Sequence, residues 1–143
     1  MDWDECEVDF IREVEVDEER IKSLIKKAEQ RLKIIKLIKL SEETVSFIVE
    51  GYYEVIKELL VAYLLKNGLK SKNHQCLISY FYKQNPSYEK EAYLISEMSY
   101  YRNRLDYYGE SVPLDFYEKN KLEFQSIIKI LTELIQQQTQ GSG

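Results

Sequence analysis

A long, regular helical pattern in the middle of the chain is the strongest constraint on its fold. Apolar residues recur every three or four positions from Val45 to Leu64, and the pattern stops at Asn67-Gly68. This spacing places one apolar stripe along an α-helix, and glycine is the expected left-handed residue just beyond a helix end. We therefore predict a long helix that is capped by Ser41 and ends near Asn67.

The same periodicity recurs before and after this helix. Its best example is the stripe from Ile21 to Ile38, and no segment shows the sustained alternation that is typical of a strand. The predicted helices begin near Asp17, Ser41, Asn73, Pro86 and Asp115. These patterns predict an all-α protein, an up-down antiparallel four-helix bundle with an extra short helix, and no sheet.

The size and composition fit one domain. A chain of 143 residues with 44% apolar residues and two prolines is long enough to bury a core and is not typical of disorder. We predict an acidic leader over residues 1–16, a helical domain over 17–138 and a disordered tail over 139–143. In the leader, Phe10, Ile11, Val14 and Val16 are expected to form an extended apolar strip that docks on the bundle.

Several functional classes are disfavoured. His74 is the single histidine, and the sequence predicts neither a metal site nor a cofactor. Cys6 and Cys76 show no disulfide framework and no metal-ligand spacing, so we expect structural or surface thiols. No apolar run approaches the roughly 18 residues of a membrane span, and the first residues are acidic where a signal peptide is basic. We expect a cytoplasmic protein with no membrane association.

The net charge of −5 is unevenly distributed. Residues 1–19 carry ten acidic residues against Arg12, whereas residues 20–40 carry eight basic residues against Glu29. Two interpretations stay open. The basic helix has a solvated face behind an acidic first turn that suits the helix dipole, or it is a phosphate-facing surface that the leader partly shields.

Near the end of the predicted fourth helix, the stretch from Met98 to Glu110 combines arginines with tyrosines. It contains Arg102-Asn103-Arg104-Leu105 followed by Asp106-Tyr107-Tyr108 and Gly109. In a regular helix Arg102 and Asp106 are close enough to pair. Arg102 and Tyr107 lie ~140° apart around the axis, so they converge on one ligand only if the helix loosens near Leu105.

This stretch resembles the signature of HEPN domains, which is arginine, then asparagine or aspartate, three variable residues and histidine. Arg102 and Asn103 match, and Tyr107 stands at the histidine position. The resemblance implies a HEPN-like helical bundle that forms a homodimer and binds RNA or a nucleotide. It also implies toxin–antitoxin relatives and a possible nucleotidyltransferase partner.

If this stretch is functional, five residues have roles. Arg102 would hold a phosphate through its planar guanidinium, Asn103 would orient it, and Tyr108 would contact the ligand. Arg104 would either reach the phosphodiester backbone or face outward as a solubilising residue. Tyr107 would replace the catalytic histidine of a metal-independent endoribonuclease. A free phenol has a pKa of about 10, so it is a poor general base at neutral pH.

We therefore expect RNA or nucleotide binding with weak or no cleavage. The alternative is a non-catalytic dimerisation or partner-binding module, which would be the companion of a minimal nucleotidyltransferase. Two smaller questions stay open as well. His74 is either a structural or capping residue or part of a polar groove, and most of the twelve tyrosines are expected in the core rather than as stacking platforms.

Overall fold

The protein is largely helical, as predicted. The computed structural model describes the backbone of residues 2–141 and the side chains of residues 2–137, and 79% of the described residues are helical. The α-helices of this part are α1 (Trp3–Asp9), α2 (Glu18–Leu37), α3 (Val45–Lys66), α4 (His74–Gln84), α5 (Glu89–Tyr108) and α6 (Leu114–Gly141). The all-α class is confirmed, with α1 as a helix that the periodicity did not predict.

Helix α3 lies at the centre of the fold. It contacts α2, α4, α5 and α6, and most of its side chains are buried. Helix α2 approaches it closely at Gly51, where an added Cβ would lie 2.7 Å from Cγ1 of Ile35. Buried residues of α3 and its neighbours form one continuous apolar core. The helix with the clearest sequence pattern is therefore the one around which the others pack.

The predicted helix ends are partly confirmed. Asp17 caps α2 by accepting a hydrogen bond from the Arg20 N–H at 3.0 Å, and Gly68 follows α3 with φ of 71°. Ser41 instead closes a turn with Thr44, and α3 begins after that turn. Asp115 lies in the first turn of α6 rather than at its cap. Helix α6 continues to residue 141, and the rest of the predicted disordered tail, residues 142 and 143, lies outside the described residues.

The leader differs most from the expectation. Its residues 3–9 form the short helix α1, which packs on α4. Cys6 and Cys76, both fully buried, form a disulfide between these two helices, so the prediction of two free thiols was wrong. Trp3 of α1 also contacts the ring of Tyr80 at 5.3 Å between centroids. Two cysteines with 70 positions between them in the chain carry no local signal that the helices meet.

The prediction of no sheet was also wrong. Strand β1 (Arg12–Glu13) pairs antiparallel with β2 (Leu69–Lys70), so that Arg12 faces Lys70. Strands of two residues are too short to show the alternation on which the prediction relied. Of the predicted apolar strip, Ile11 and Val14 pack against the core, whereas Phe10 and Val16 are exposed.

The basic residues of α2 point to solvent. All of the bases between residues 20 and 40 are exposed except the half-buried Arg31, which pairs with Glu58 of α3 at 2.8 Å. Because α1 packs on α4, the acidic leader is anchored there. Among the described residues, no helix is long and apolar enough to cross a membrane.

Candidate functional site

The Arg102-Asn103 motif lies in the last two turns of α5. The helix is continuous through Leu105 to Tyr108 and ends at Gly109, whose φ is 64°. The N–H of Gly109 donates to the carbonyl of Leu105 at 3.0 Å, as a regular helix end requires. Because the helix does not loosen, Arg102 and Tyr107 stay on different faces, and the motif divides into an inner and an outer side.

On the inner side, Arg102 is directed toward α3. Its Nη2 lies 3.7 Å from Oε1 of Glu54, and its Nε lies 3.1 Å from Oδ2 of Asp106. The predicted pairing of Arg102 with Asp106 is therefore confirmed. The Nε is buried and, despite this short distance, makes no hydrogen bond among the described residues. Oδ1 of Asn103 accepts a long hydrogen bond of 3.4 Å from Nη1 of the same guanidinium.

Acidic side chains outnumber this arginine. Glu50 of α3 hydrogen-bonds Asp106, and burial, this bond and the nearby charges of Asp106 and Glu54 raise the pKa of Glu50, while Arg102 opposes the shift. Three carboxyl groups thus surround one guanidinium. A phosphate that approached Arg102 would have to displace Glu54 or Asp106 from it. No local pattern links the two glutamates with the motif, because they lie about fifty residues before it.

The single histidine lies near Arg102, on the inner side of α5. Nδ1 of His74 lies 3.2 Å from the hydroxyl of Tyr53, which also donates to Ser99 of α5 at 3.4 Å. Burial lowers the pKa of His74, with Lys57 and Arg102 adding to the shift and Glu54 opposing it. The cap of α4 is Asn73 rather than His74, and a structural role and a groove role for His74 both stay predictions.

The outer side is aromatic and exposed. Tyr100, Tyr107 and Tyr108 are 58%, 75% and 68% exposed. The guanidinium carbon of Arg104 lies 4.6 Å from the ring centroid of Tyr108 and 5.9 Å from that of Tyr100. Arg104 also forms a two-pronged ion pair with Glu110, which raises the pKa of Arg104 and lowers that of Glu110. Such a solvent-exposed pair contributes little to stability.

The predicted site residues are therefore not all brought together. Asn103, Arg104, Tyr107 and Tyr108 are at or near the outer surface, whereas Arg102 is turned toward α3. Seven of the twelve tyrosines are buried or half-buried, in line with the expectation for most of them. The exposed ones are Tyr82, Tyr93, Tyr100, Tyr107 and Tyr108, and four of these belong to α5.

The fold and this surface define a small helical protein with an aromatic and cationic face on one helix. Comparisons with protein-family models, curated proteins and solved structures give no significant match. Among the described residues, no group of histidine, cysteine and acidic side chains could hold a metal ion. The HEPN assignment therefore stays a prediction that rests on Arg102, Asn103 and the order of the helices.

Proposed function

We propose that this protein binds single-stranded RNA or a nucleotide through the outer side of α5 and cleaves it weakly or not at all. The observation that carries the proposal is the exposed cluster of Tyr100, Tyr107 and Tyr108 around Arg104. Unpaired bases stack on tyrosine rings and on guanidinium planes in many RNA-binding proteins. The resemblance of the adjacent Arg102-Asn103 pair to the HEPN signature points to the same class of ligand.

The charges around this face suit a polyanion. Among the side chains of residues 2–137, Arg104 contacts the exposed Glu110 and the tyrosine faces, so a phosphate can replace Glu110 with little loss of stability. The lysines of α2 are exposed and add a long-range attraction that depends on salt. Binding at this face does not require Arg102 to leave its carboxylates.

The geometry is less suited to cleavage. A metal-independent endoribonuclease would need Arg102 and Tyr107 beside one phosphodiester, and the continuous helix keeps them on separate faces. Tyr107 is also 75% exposed, so its side chain faces solvent rather than Arg102. We therefore assign Tyr107 a stacking role in the proposal rather than a catalytic one.

Fluorescence anisotropy with single-stranded RNA that carries a 3′ fluorophore tests the proposal. Loss of one base–aromatic stack costs about 1–3 kcal/mol, so Tyr108→Ala should weaken binding by about 5-fold to 150-fold. Arg104→Ala should weaken binding and reduce its salt dependence. Tyr82→Ala removes an exposed tyrosine from α4 and is the matched control. Affinities of the two α5 variants within twofold of the wild type would refute the proposal.

A second candidate, a homodimer, is favoured by the spacing of the exposed tyrosines. Tyr93, Tyr100 and Tyr107 are seven residues apart and share one face of α5, with about 10.5 Å between successive positions. The row is symmetric about Tyr100. Two copies of α5 that cross antiparallel on a twofold axis would therefore place each Tyr93 opposite the partner's Tyr107.

Light scattering coupled to size exclusion distinguishes the two candidates. If α5 pairs with itself, the chain should elute as a dimer and Tyr93→Ala should shift it toward the monomer, since tyrosines are common anchors of interfaces. Tyr108→Ala lies off this row and should leave the dimer intact. A wild-type monomer at high concentration would remove the dimer candidate without affecting RNA binding.

The remaining predictions concern a partner, a cellular role and a location. A nucleotidyltransferase partner and a toxin–antitoxin role rest on the family resemblance alone. The cytoplasmic location rests on the sequence composition, whereas a buried disulfide between Cys6 and Cys76 is typical of oxidising compartments. Measurement of the thiol content of the protein isolated under alkylating conditions from its source tests which compartment it occupies.

A further inference from the structure

A charged cleft lies beside the part of the leader that follows α1. It has a volume of about 260 Å³ and is bordered by Asp9, Phe10 and Arg12 from the leader, by Lys70 of β2 and by Lys72 from the turn before α4. This cleft contains none of the residues of the α5 face. It is therefore separate from the RNA-binding face proposed above.

The cations of this cleft are held close together. Arg12 and Lys70 are directly opposite in the β1–β2 pair, an arrangement that destabilises a strand pair when both residues carry the same charge. Lys72 adds a third positive charge. Within residues 2–137 none of the three forms an ion pair, and Asp9 is the one acidic residue of the lining. The cleft thus has an excess of two positive charges.

The rest of the fold fixes this arrangement. The Cys6–Cys76 disulfide attaches the leader to α4 on one side of the cleft. On the other side, the N–H of Val14 donates to the carbonyl of Gly68 at 2.9 Å. These bonds hold Arg12 against Lys70 in spite of their repulsion. A cluster of cations that covalent and backbone bonds hold in place is preorganised for an anion.

We infer that this cleft binds the phosphomonoester group of a nucleotide. Arg12 can donate two parallel hydrogen bonds to one phosphate, and Lys70 and Lys72 supply point charges. Phe10, which is 39% exposed, borders the cleft and can stack on the base. The volume is close to the lower limit of small-molecule sites, which suits one mononucleotide. The ligand is either a free nucleotide or the 5′ end of an RNA, because both present the same doubly charged phosphate.

Isothermal titration calorimetry with AMP and with adenosine tests whether the phosphate is recognised. AMP should bind at least tenfold more tightly than adenosine, and Arg12→Gln or Lys72→Gln should remove most of this difference. Lys119→Gln, an exposed position on α6, is the charge-matched control. Arg12, Lys72 and Lys119 are all exposed, so these substitutions are expected to preserve the fold, and circular dichroism checks this.

A second measurement separates the two sources of the phosphate. RNA with a 5′-phosphate should bind more tightly than the same RNA with a 5′-hydroxyl if the cleft binds an RNA end, and AMP alone should bind if it holds a free nucleotide. Either preference supports the inference, provided that Arg12→Gln abolishes it. No preference in both assays, or a preference that Arg12→Gln leaves within twofold of its original size, would overturn it. RNA with a 5′-hydroxyl reports on the α5 face independently.

Discussion

The disulfide between α1 and α4 should contribute strongly to stability. Cys6 and Cys76 are separated by 70 positions in the chain, and a crosslink limits the freedom of the unfolded chain more as the closed loop grows. For a loop of about 70 residues, the chain-entropy relation gives about 15 cal/mol/K, or about 4 kcal/mol at 25 °C. We expect reduction, or replacement of both cysteines by serine, to lower the free energy of unfolding by up to about this amount.

Urea denaturation at pH 7, followed by far-ultraviolet circular dichroism, measures this loss. Trp3 is the single tryptophan of the chain and contacts Tyr80, so its fluorescence reports whether α1 stays docked. The oxidised wild type should unfold in one transition that both signals share. In the reduced protein the fluorescence of Trp3 should change at lower urea than the dichroism, because the covalent bond that holds α1 on α4 is then broken.

The serine double variant is the control for side effects of the reductant. Dithiothreitol should not change its unfolding curve, and its midpoint should match that of the reduced wild type. A loss below about 1 kcal/mol, with Trp3 and the helices still unfolding together, would refute the reasoning. That result would mean that the leader is held by packing alone, or that the two sulfurs are not joined in solution.

Three further predictions concern the interior. Gly51→Ala should destabilise the fold by about 1 kcal/mol in urea denaturation, because overpacking against Ile35 costs about 1–3 kcal/mol and the gain in helix propensity is about 1 kcal/mol; additive effects when Ile35→Ala is combined with it would contradict this. The pKa of His74 is lowered, so its contribution to stability is complete above about pH 6.5 and is lost as the pH falls below that value. His74→Gln should therefore flatten the decline of Tm between pH 6.5 and 5, and an unchanged slope would argue against this. The raised pKa of Glu50 has the opposite sign, with its stabilisation complete below about pH 4.3 and lost as the pH rises through the shifted value. Glu50→Gln should therefore raise Tm at pH 7 relative to the wild type, and a lower Tm would refute the assignment.

The sequence predicted the helices well because their stripes are long. From Ile21 to Ile38 and from Val45 to Leu64, every turn repeats the same apolar spacing, so the burial of that face could be read directly. The leader could not be read in this way. Its helix has seven residues, and its position is fixed by a disulfide and a two-residue strand pair with distant partners.

The candidate site shows the same division between local and distant information. The pairing of Arg102 with Asp106 follows from their spacing on one helix, and the structure confirms it. Glu54 and Tyr53 of α3 contact Arg102 and Ser99 of α5, and no spacing rule connects them with the motif. The seven-residue repeat of exposed tyrosines on α5 was visible in the sequence, but its exposure depends on which face α3 and α4 cover.

The position of Arg102 has a consequence for experiments on the motif. Its guanidinium is the cation that lies between Glu54 and Asp106 and opposes the raised pKa of Glu50. An Arg102→Leu chain would lose the charge that opposes the raised pKa of Glu50, so Glu50 would take up a proton more readily as the chain folds. Such a chain should be more stable at pH 5 than at pH 8, the reverse of ordinary acid unfolding. Lost function in this variant would therefore report a changed proton balance as well as a missing contact.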